Sequence, residues 1–347
     1  MKHLPIILLA CLFLGFSNGP ASIVKENLEF NTPEKIKGFC FTAPPKPFPE
    51  NPMPPLKAVN AEWIAVIPYA YTPNNSTEVY FNTERQWWGE KKVGIVETIR
   101  KAHADGISVM VKPQVWIPRG GWVGHMDFER DAEWREWEKN FEKYILAYVD
   151  IAEEEGAEMV CIGTELRIAV EKRPKFWRSL IEKARERYCG KLVYAANWDD
   201  FDKVPFWDEL DYIGVNAYFP LTDHKTPTVA TLKKAWEEPL RKIKNIQRKF
   251  DRPILFTEWG YLSVDGCAYK TWELEPKMRE LAQNEQAQAN AFHAVFDVFW
   301  DKPWWAGGFL WKWFPNPEYQ MNLYDFSFSP QGKKSAEVIK NWYGKSN

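Results

Sequence analysis

Phe256-Thr257-Glu258-Trp259-Gly260-Tyr261 closes the apolar run Ile254-Leu255-Phe256, which itself follows Arg252-Pro253. The run reads as a buried strand that gives way to a loop at Glu258. Burying a carboxylate at such a point costs several kcal/mol unless it is paired or hydrogen-bonded. Taken alone, Glu258 reads equally well as a glutamate at a solvated strand end. A second instance shifts that balance. Cys161-Ile162-Gly163-Thr164-Glu165 has the same form, an apolar strand that ends on glutamate, and both lie beside tryptophan-rich loops.

Around these two strands, short apolar runs alternate with amphipathic helical patterns. Strands are expected over residues 36–42, 63–69, 108–114, 159–165, 192–197, 212–218, 254–258 and 307–311. Helices are expected over 93–105, 131–155, 174–188, 228–250, 284–300 and 333–343. Within 131–155, Trp134, Trp137, Phe141, Ile145, Tyr148 and Ala152 recur at helical spacing, so this stripe reads as core packing rather than a binding surface. Gly106 and Gly156 stop helices, and Pro174 opens one. The strand–helix alternation, with no inserted linker, describes an α/β chain folded as a (β/α)8 TIM barrel, a single domain over 30–347. An open doubly wound sheet is the second choice, but no GxGxxG follows a strand.

Composition bounds the partners. A net charge of −2 and a pI near 6.3 argue against nucleic acid, which requires a basic face. Aromatic residues are abundant, with 19 Trp, 14 Tyr and 22 Phe, and Trp and Tyr suit sugar rings, whose faces are apolar and whose rims are hydroxylated. Lys2 followed by an apolar run from Leu4 to Phe16 reads as a secretory signal over 1–21. Leu8-Leu9-Ala10-Cys11 also resembles a lipoprotein cleavage box, so the chain is expected to be secreted or periplasmic, or anchored by lipid on Cys11. No later stretch is long enough to span a bilayer, and the chain is expected to act as a monomer. Cys40, Cys161, Cys189 and Cys267 show no CxxC spacing, and no disulfide or metal site is expected.

A barrel carries its chemistry at the C-terminal ends of its strands. Those positions hold Lys112, Gln114, Trp116, Glu165, Asn197, Trp198, Asn216, Tyr218, Glu258, Trp259 and Trp311. Glu165 and Glu258 end the fourth and seventh strands, on opposite sides of the mouth. Two carboxyl groups across a sugar, one protonated and one ionised, are what glycosidic cleavage needs. Lys112 reads either as a salt-bridge partner of an acid or as a substrate contact. Trp198, Trp259 and Trp313 read equally as rim packing or sugar binding. The chemistry needs only water, so no cofactor is implied.

The residues resemble a known family. Glu165 and Glu258 look like the acid/base and nucleophile of the retaining glycoside hydrolases of clan A. Ile162-Gly163-Thr164-Glu165-Leu166, Val111-Lys112-Pro113-Gln114, Asp211-Tyr212-Ile213-Gly214-Val215-Asn216-Ala217-Tyr218, the Glu258 stretch and Gly307-Gly308-Phe309-Leu310-Trp311-Lys312-Trp313 are similar to glycoside hydrolase family 113, a family of β-1,4-mannanases. The resemblance implies that Tyr218 hydrogen-bonds the nucleophile and that Trp311 forms the platform under the sugar preceding the cleaved bond. Most of clan A has Asn before the acid/base; here Thr164 stands there, as in family 113, leaving Asn197 and Asn216 as candidates for the sugar 2-hydroxyl. Some family members carry His after the Lys-Pro of the third strand, where this chain has Gln114.

The expected function is therefore retaining hydrolysis of β-1,4-mannan or glucomannan, with Lys112, Trp116, Trp198 and Trp259 as further substrate-binding candidates. Another β-linked glycan is the nearest alternative. A non-catalytic carbohydrate-binding barrel is the alternative from a different class, and loss of activity with binding retained in Glu258→Ala separates the two.

Overall fold

The computed structural model of the protein describes residues 34–118, 121–316 and 325–345. The expected secretion signal, Cys11 included, lies outside them. The strands, in chain order, are β1 Ile36–Phe41, β2 Trp63–Val66, β3 Tyr69–Tyr71, β4 Tyr80–Phe81, β5 Ser108–Val111, β6 Gln114–Trp116, β7 Met159–Thr164, β8 Lys191–Asn197, β9 Tyr212–Asn216, β10 Ile254–Trp259 and β11 Trp305–Trp313. Eight of them, β1-β2-β5-β7-β8-β9-β10-β11, pair in parallel, and β11 closes back on β1. Helices lie between the strands, which makes the fold a (β/α)8 barrel. Among the described residues, no helix is long and apolar enough to cross a membrane.

Two apolar layers follow from the strand alternation. Cys40, Ala65, Met110, Cys161, Val193, Leu255 and Phe309 point inward and fill the barrel. Alternate residues point outward against the helices; Phe256, for example, packs on Phe299 with ring centroids 5.0 Å apart. The aromatic stripe on helix Asp131–Glu154 is core, as its spacing implied: Trp137 and Phe141 are stacked and buried. At the closing seam only glycine fits position 307. Its φ is +92°, and a Cβ there would stand 2.3 Å from the Ile36 carbonyl oxygen.

Three of the departures from the sequence expectation trace to proline. The strands expected over 63–69 and 108–114 leave the barrel at Val66 and Val111, just before Ile67-Pro68 and Lys112-Pro113. Proline has no N–H to give a ladder. Beyond each proline the chain becomes extended again, as β3 and β6, which pair in parallel with each other; β4 adds antiparallel to β3. The result is a three-stranded side sheet outside the barrel. The helix expected over 228–250 is two, Val229–Ala235 and Glu237–Phe250. Pro239 cannot donate to the Ala235 carbonyl, and as a first-turn residue it favours a fresh start.

Cys40, Cys161 and Cys267 are free and buried, while Cys189 is free and exposed. Cys189 precedes β8, at the N-terminal end of the barrel, and its N–H donates to Glu153 Oε2 (2.9 Å).

Candidate active site

β10 is irregular where it matters. Leu255 faces the barrel interior and Phe256 faces the helices, yet Trp259, three residues on, also faces the helices, against Phe292 and Phe296. Strict alternation would put residues 256 and 259 on opposite sides. The pairing register slips on both flanks, between Leu255 and Glu258 against β9 and between Phe256 and Trp259 against β11. The slip turns Glu258 into the mouth and Trp259 away from it. Trp259 is 1% exposed. The sequence expectation of a sugar-binding Trp259 is therefore corrected: it is a core residue, enclosed by phenylalanines.

Glu258 is buried and held by three donors from other strands. Lys112, fully buried at the end of β5, forms a short ion pair with Oε2. Gln114 Nε2 donates to the same oxygen (3.1 Å), and the Tyr218 hydroxyl donates to Oε1 (2.7 Å). Burial is the largest single influence on Lys112 and pulls its pKa down, but the charge of Glu258 and its hydrogen bond, with contributions from Cys40 and Cys161, together outweigh it and the pKa is raised. Tyr218 is pushed well up by burial and by the same carboxylate, so its hydroxyl stays a donor.

Glu165 sits one residue beyond β7 in the left-handed backbone region (φ +56°), a conformation that costs about 1–3 kcal/mol in a non-glycine residue. The surroundings fix it there. Its N–H donates to Ala195 O (2.8 Å), and the Leu166 N–H donates to the buried Tyr194 hydroxyl (2.8 Å). Its carboxylate accepts only from neutral groups: Asn216 Nδ2 at 2.9 Å on Oε1 and Trp122 Nε1 at 2.8 Å on Oε2. Loss of hydration and then the Glu258 charge raise its pKa, while the hydrogen bonds from Trp122 and Asn216 pull it down less strongly.

Asn216 links the two halves. It is paired in register with Glu258, donates to Glu165, and accepts at Oδ1 from Thr257 Oγ1 (2.9 Å). Both ends of its amide are engaged within the protein. Asn197 pairs with Asn216 in register and donates from Nδ2 to Asp199 (3.0 Å). Thr164 is buried, with its hydroxyl donating to Pro113 O (3.3 Å).

Trp122 is the residue that sequence reasoning missed. It lies beyond β6, where no periodicity singles it out. The structure clamps it. The Arg167 guanidinium lies 4.6 Å from the ring centroid, itself tied to Asp199 and, at 2.8 Å, to Asp200. His125 meets the ring edge-on at 4.8 Å, and a Cβ on Gly124 would come within 2.4 Å of the indole, so only glycine lets the ring lie there.

The remaining aromatic candidates differ in exposure and place. Trp311 is partly buried with Lys312 Nζ 5.0 Å from its ring. Trp198 stacks on Trp272 (5.6 Å, 19°), a partner the sequence did not suggest. Trp116 is 56% exposed, on the side sheet. Trp313 is buried against Phe39.

A sequence model of Glycoside Hydrolase Family 113 matches residues 46–333. The chain belongs to that family. It is similar over 90% of its length to the whole of a chain described as a GH113 beta-1,4-mannanase in a complex, at 28% identity and a TM-score of 0.78. The GH113 beta-mannanase AaManA from Alicyclobacillus acidocaldarius, in complex with ManMIm, matches at 24% identity and a TM-score of 0.79, over 90% of this chain and 98% of that one. A β-glucuronidase from Ruminococcus gnavus shares the barrel alone, at 16% identity and a TM-score of 0.59, over 90% of this chain and 50% of that one. No curated protein matches the chain. This family-113 protein is a glycoside hydrolase.

Proposed function

We propose that this glycoside hydrolase cleaves β-1,4-mannosidic bonds with retention of configuration. Glu258 is the nucleophile and Glu165 the general acid and base. In the first step the Glu258 carboxylate attacks the anomeric carbon, while the Glu165 proton passes to the departing glycosidic oxygen. In the second, Glu165, now ionised, takes a proton from water as that water displaces Glu258 and regenerates both groups. The observation that carries this reading is the asymmetry of the two carboxyl groups. Glu258 is met by an ammonium and two further donors, which hold both its oxygens in place for attack. Glu165 is met only by neutral donors, and loss of hydration and the neighbouring charge favour its protonated form.

The mannan specificity rests on the similarity to beta-1,4-mannanases. Trp311 is the platform under the sugar preceding the cleaved bond, and Tyr218 keeps the nucleophile oriented. The apolar N-terminal stretch supports work outside the cytoplasm, either free or lipid-anchored through Cys11.

The test is proton NMR of products from β-1,4-mannan, cellulose and xylan, recorded before mutarotation. The β-anomer of a mannooligosaccharide appearing first supports the reading. First appearance of the α-anomer would exclude retention. Cleavage of another glycan with mannan intact would keep the two carboxylates and discard the substrate.

A further inference from the structure

The side sheet opens a cavity of about 1080 Å³ outside the barrel mouth. Large aromatic side chains line it and are left open to solvent: Tyr80 is 44% exposed, Trp87 47% and Trp116 56%. Tyr71 organises them, stacked with Tyr80 (6.2 Å, 27°) and tilted against Trp116 (6.0 Å). Such rings normally hide their faces; gathered in one concavity with polar residues along the 83–86 turn, they mark a site for a ligand with apolar faces and a polar rim. Sugar rings have that character. The volume, at the upper end of the roughly 300–1,000 Å³ of ordinary ligand pockets, holds more than one pyranose.

One wall of the cavity is tied to the Glu258 side of the site by strand pairing. Tyr69, in its wall, is paired in register with Gln114, and Gln114 donates to Glu258. Gln86 Nε2 ties the 83–86 turn to the Tyr69 carbonyl (2.6 Å). The link toward Glu165 is longer: Ile117, next to Trp116, bridges to Gly121, and the adjoining Trp122 donates to Glu165. The sugar bonded to the nucleophile is the glycone, and the acid's side receives the leaving chain.

We propose that this cleft binds the glycone arm of the substrate, the sugar units beyond the one that bonds to Glu258, with Tyr80, Trp87 and Trp116 as stacking platforms. The assignment rests on the mannanase reading above. It makes the side sheet, a feature produced by Pro68 and Pro113, a determinant of how long a glycone the enzyme rewards.

Aryl β-mannooligosides with one to five mannose units and a constant aryl leaving group vary the glycone alone. In the unmodified enzyme, kcat/KM is expected to climb with chain length. In Tyr80→Ala and Trp87→Ala that climb flattens by about three- to tenfold per ring removed, and Trp87→Phe recovers most of it. The ratio of long to short substrate is the readout, since partial misfolding lowers both alike. Unchanged length dependence in the variants, or an equal loss at every length, overturns the cleft assignment and leaves the mannanase reading standing. Inertness of the unmodified enzyme on all the mannosides, with another glycan cut, overturns the mannanase reading and this assignment with it.

Discussion

Glu165 and Glu258 stand in the same place on two strands of one barrel, yet the protein treats them oppositely. Glu258 is fastened by a buried cation, an amide and a phenol; Glu165 is fastened by an indole and an amide on a backbone held at positive φ. Both lie at the mouth, but one is met by a charge and the other only by neutral groups. Chemistry on a barrel is thus specified less by the strand end than by what neighbouring strands aim at it.

The strongest way to break this comparison is to remove each carboxyl group in turn. Glu258→Ala is expected to lose roughly 10⁴-fold or more in kcat on mannan and on an activated dinitrophenyl mannoside alike. Glu165→Gln is expected to fall comparably on mannan, but to keep an early burst of dinitrophenol, because that leaving group needs no proton. A burst in Glu258→Ala instead would reverse the two roles.

Next in size is the cation. Lys112→Met leaves the Glu258 carboxylate buried without its counter-charge, which costs about 3–5 kcal/mol. A fall of roughly 10²- to 10³-fold in kcat/KM, with a clear drop in Tm, is expected. Activity within about threefold of the parent would show that Gln114 and Tyr218 suffice.

Trp122→Phe probes the other carboxyl more gently. It deletes a donor that favours ionised Glu165, so the pKa of the acid, already raised, rises further. The alkaline limb of the pH–kcat/KM profile should move to higher pH, with a loss at the optimum of about tenfold or less, the size of one hydrogen bond. A profile that scales down without shifting would make Trp122 a packing residue only.

The smallest effect concerns stability. Because the folded-state pKa of Glu165 lies above its unfolded value, its proton supports the fold below about pH 4.3 and that support is lost as pH rises through the folded value. Glu165→Gln cannot lose it. The variant should match the parent in Tm at low pH and exceed it by about 1–3 °C near neutrality. A constant difference across pH would remove ionisation as the cause.

Much of this architecture was legible in the sequence. Each barrel strand announces itself as an apolar run, and strands that end on glutamate are uncommon enough to mark the mouth. Lys112 joins them, because an amine in the mouth needs a partner, while the contact of Tyr218 with Glu258 was legible only through the resemblance to family 113. The illegible part depends on register. Glu258 and Trp259 are adjacent letters, and only a slip in pairing sends one into the mouth and the other into the helices. Trp122 reaches Glu165 with its ring set against Gly124 and Arg167, contacts between residues with no fixed spacing. The side sheet was hidden for a related reason. The expected strands 63–69 and 108–114 run straight through Pro68 and Pro113, while the pairing of β3 with β6 joins two segments far apart in the chain.

The thiols bear on how the enzyme can be handled. Of the four cysteines among the described residues, three are sealed in the core, and Cys189 is open on the face of the barrel opposite the catalytic mouth. A maleimide-bearing support would capture the folded domain there and point every active site outward, toward the polymer. Immobilisation through this position should therefore preserve access for chains far too large to diffuse beneath a randomly attached enzyme.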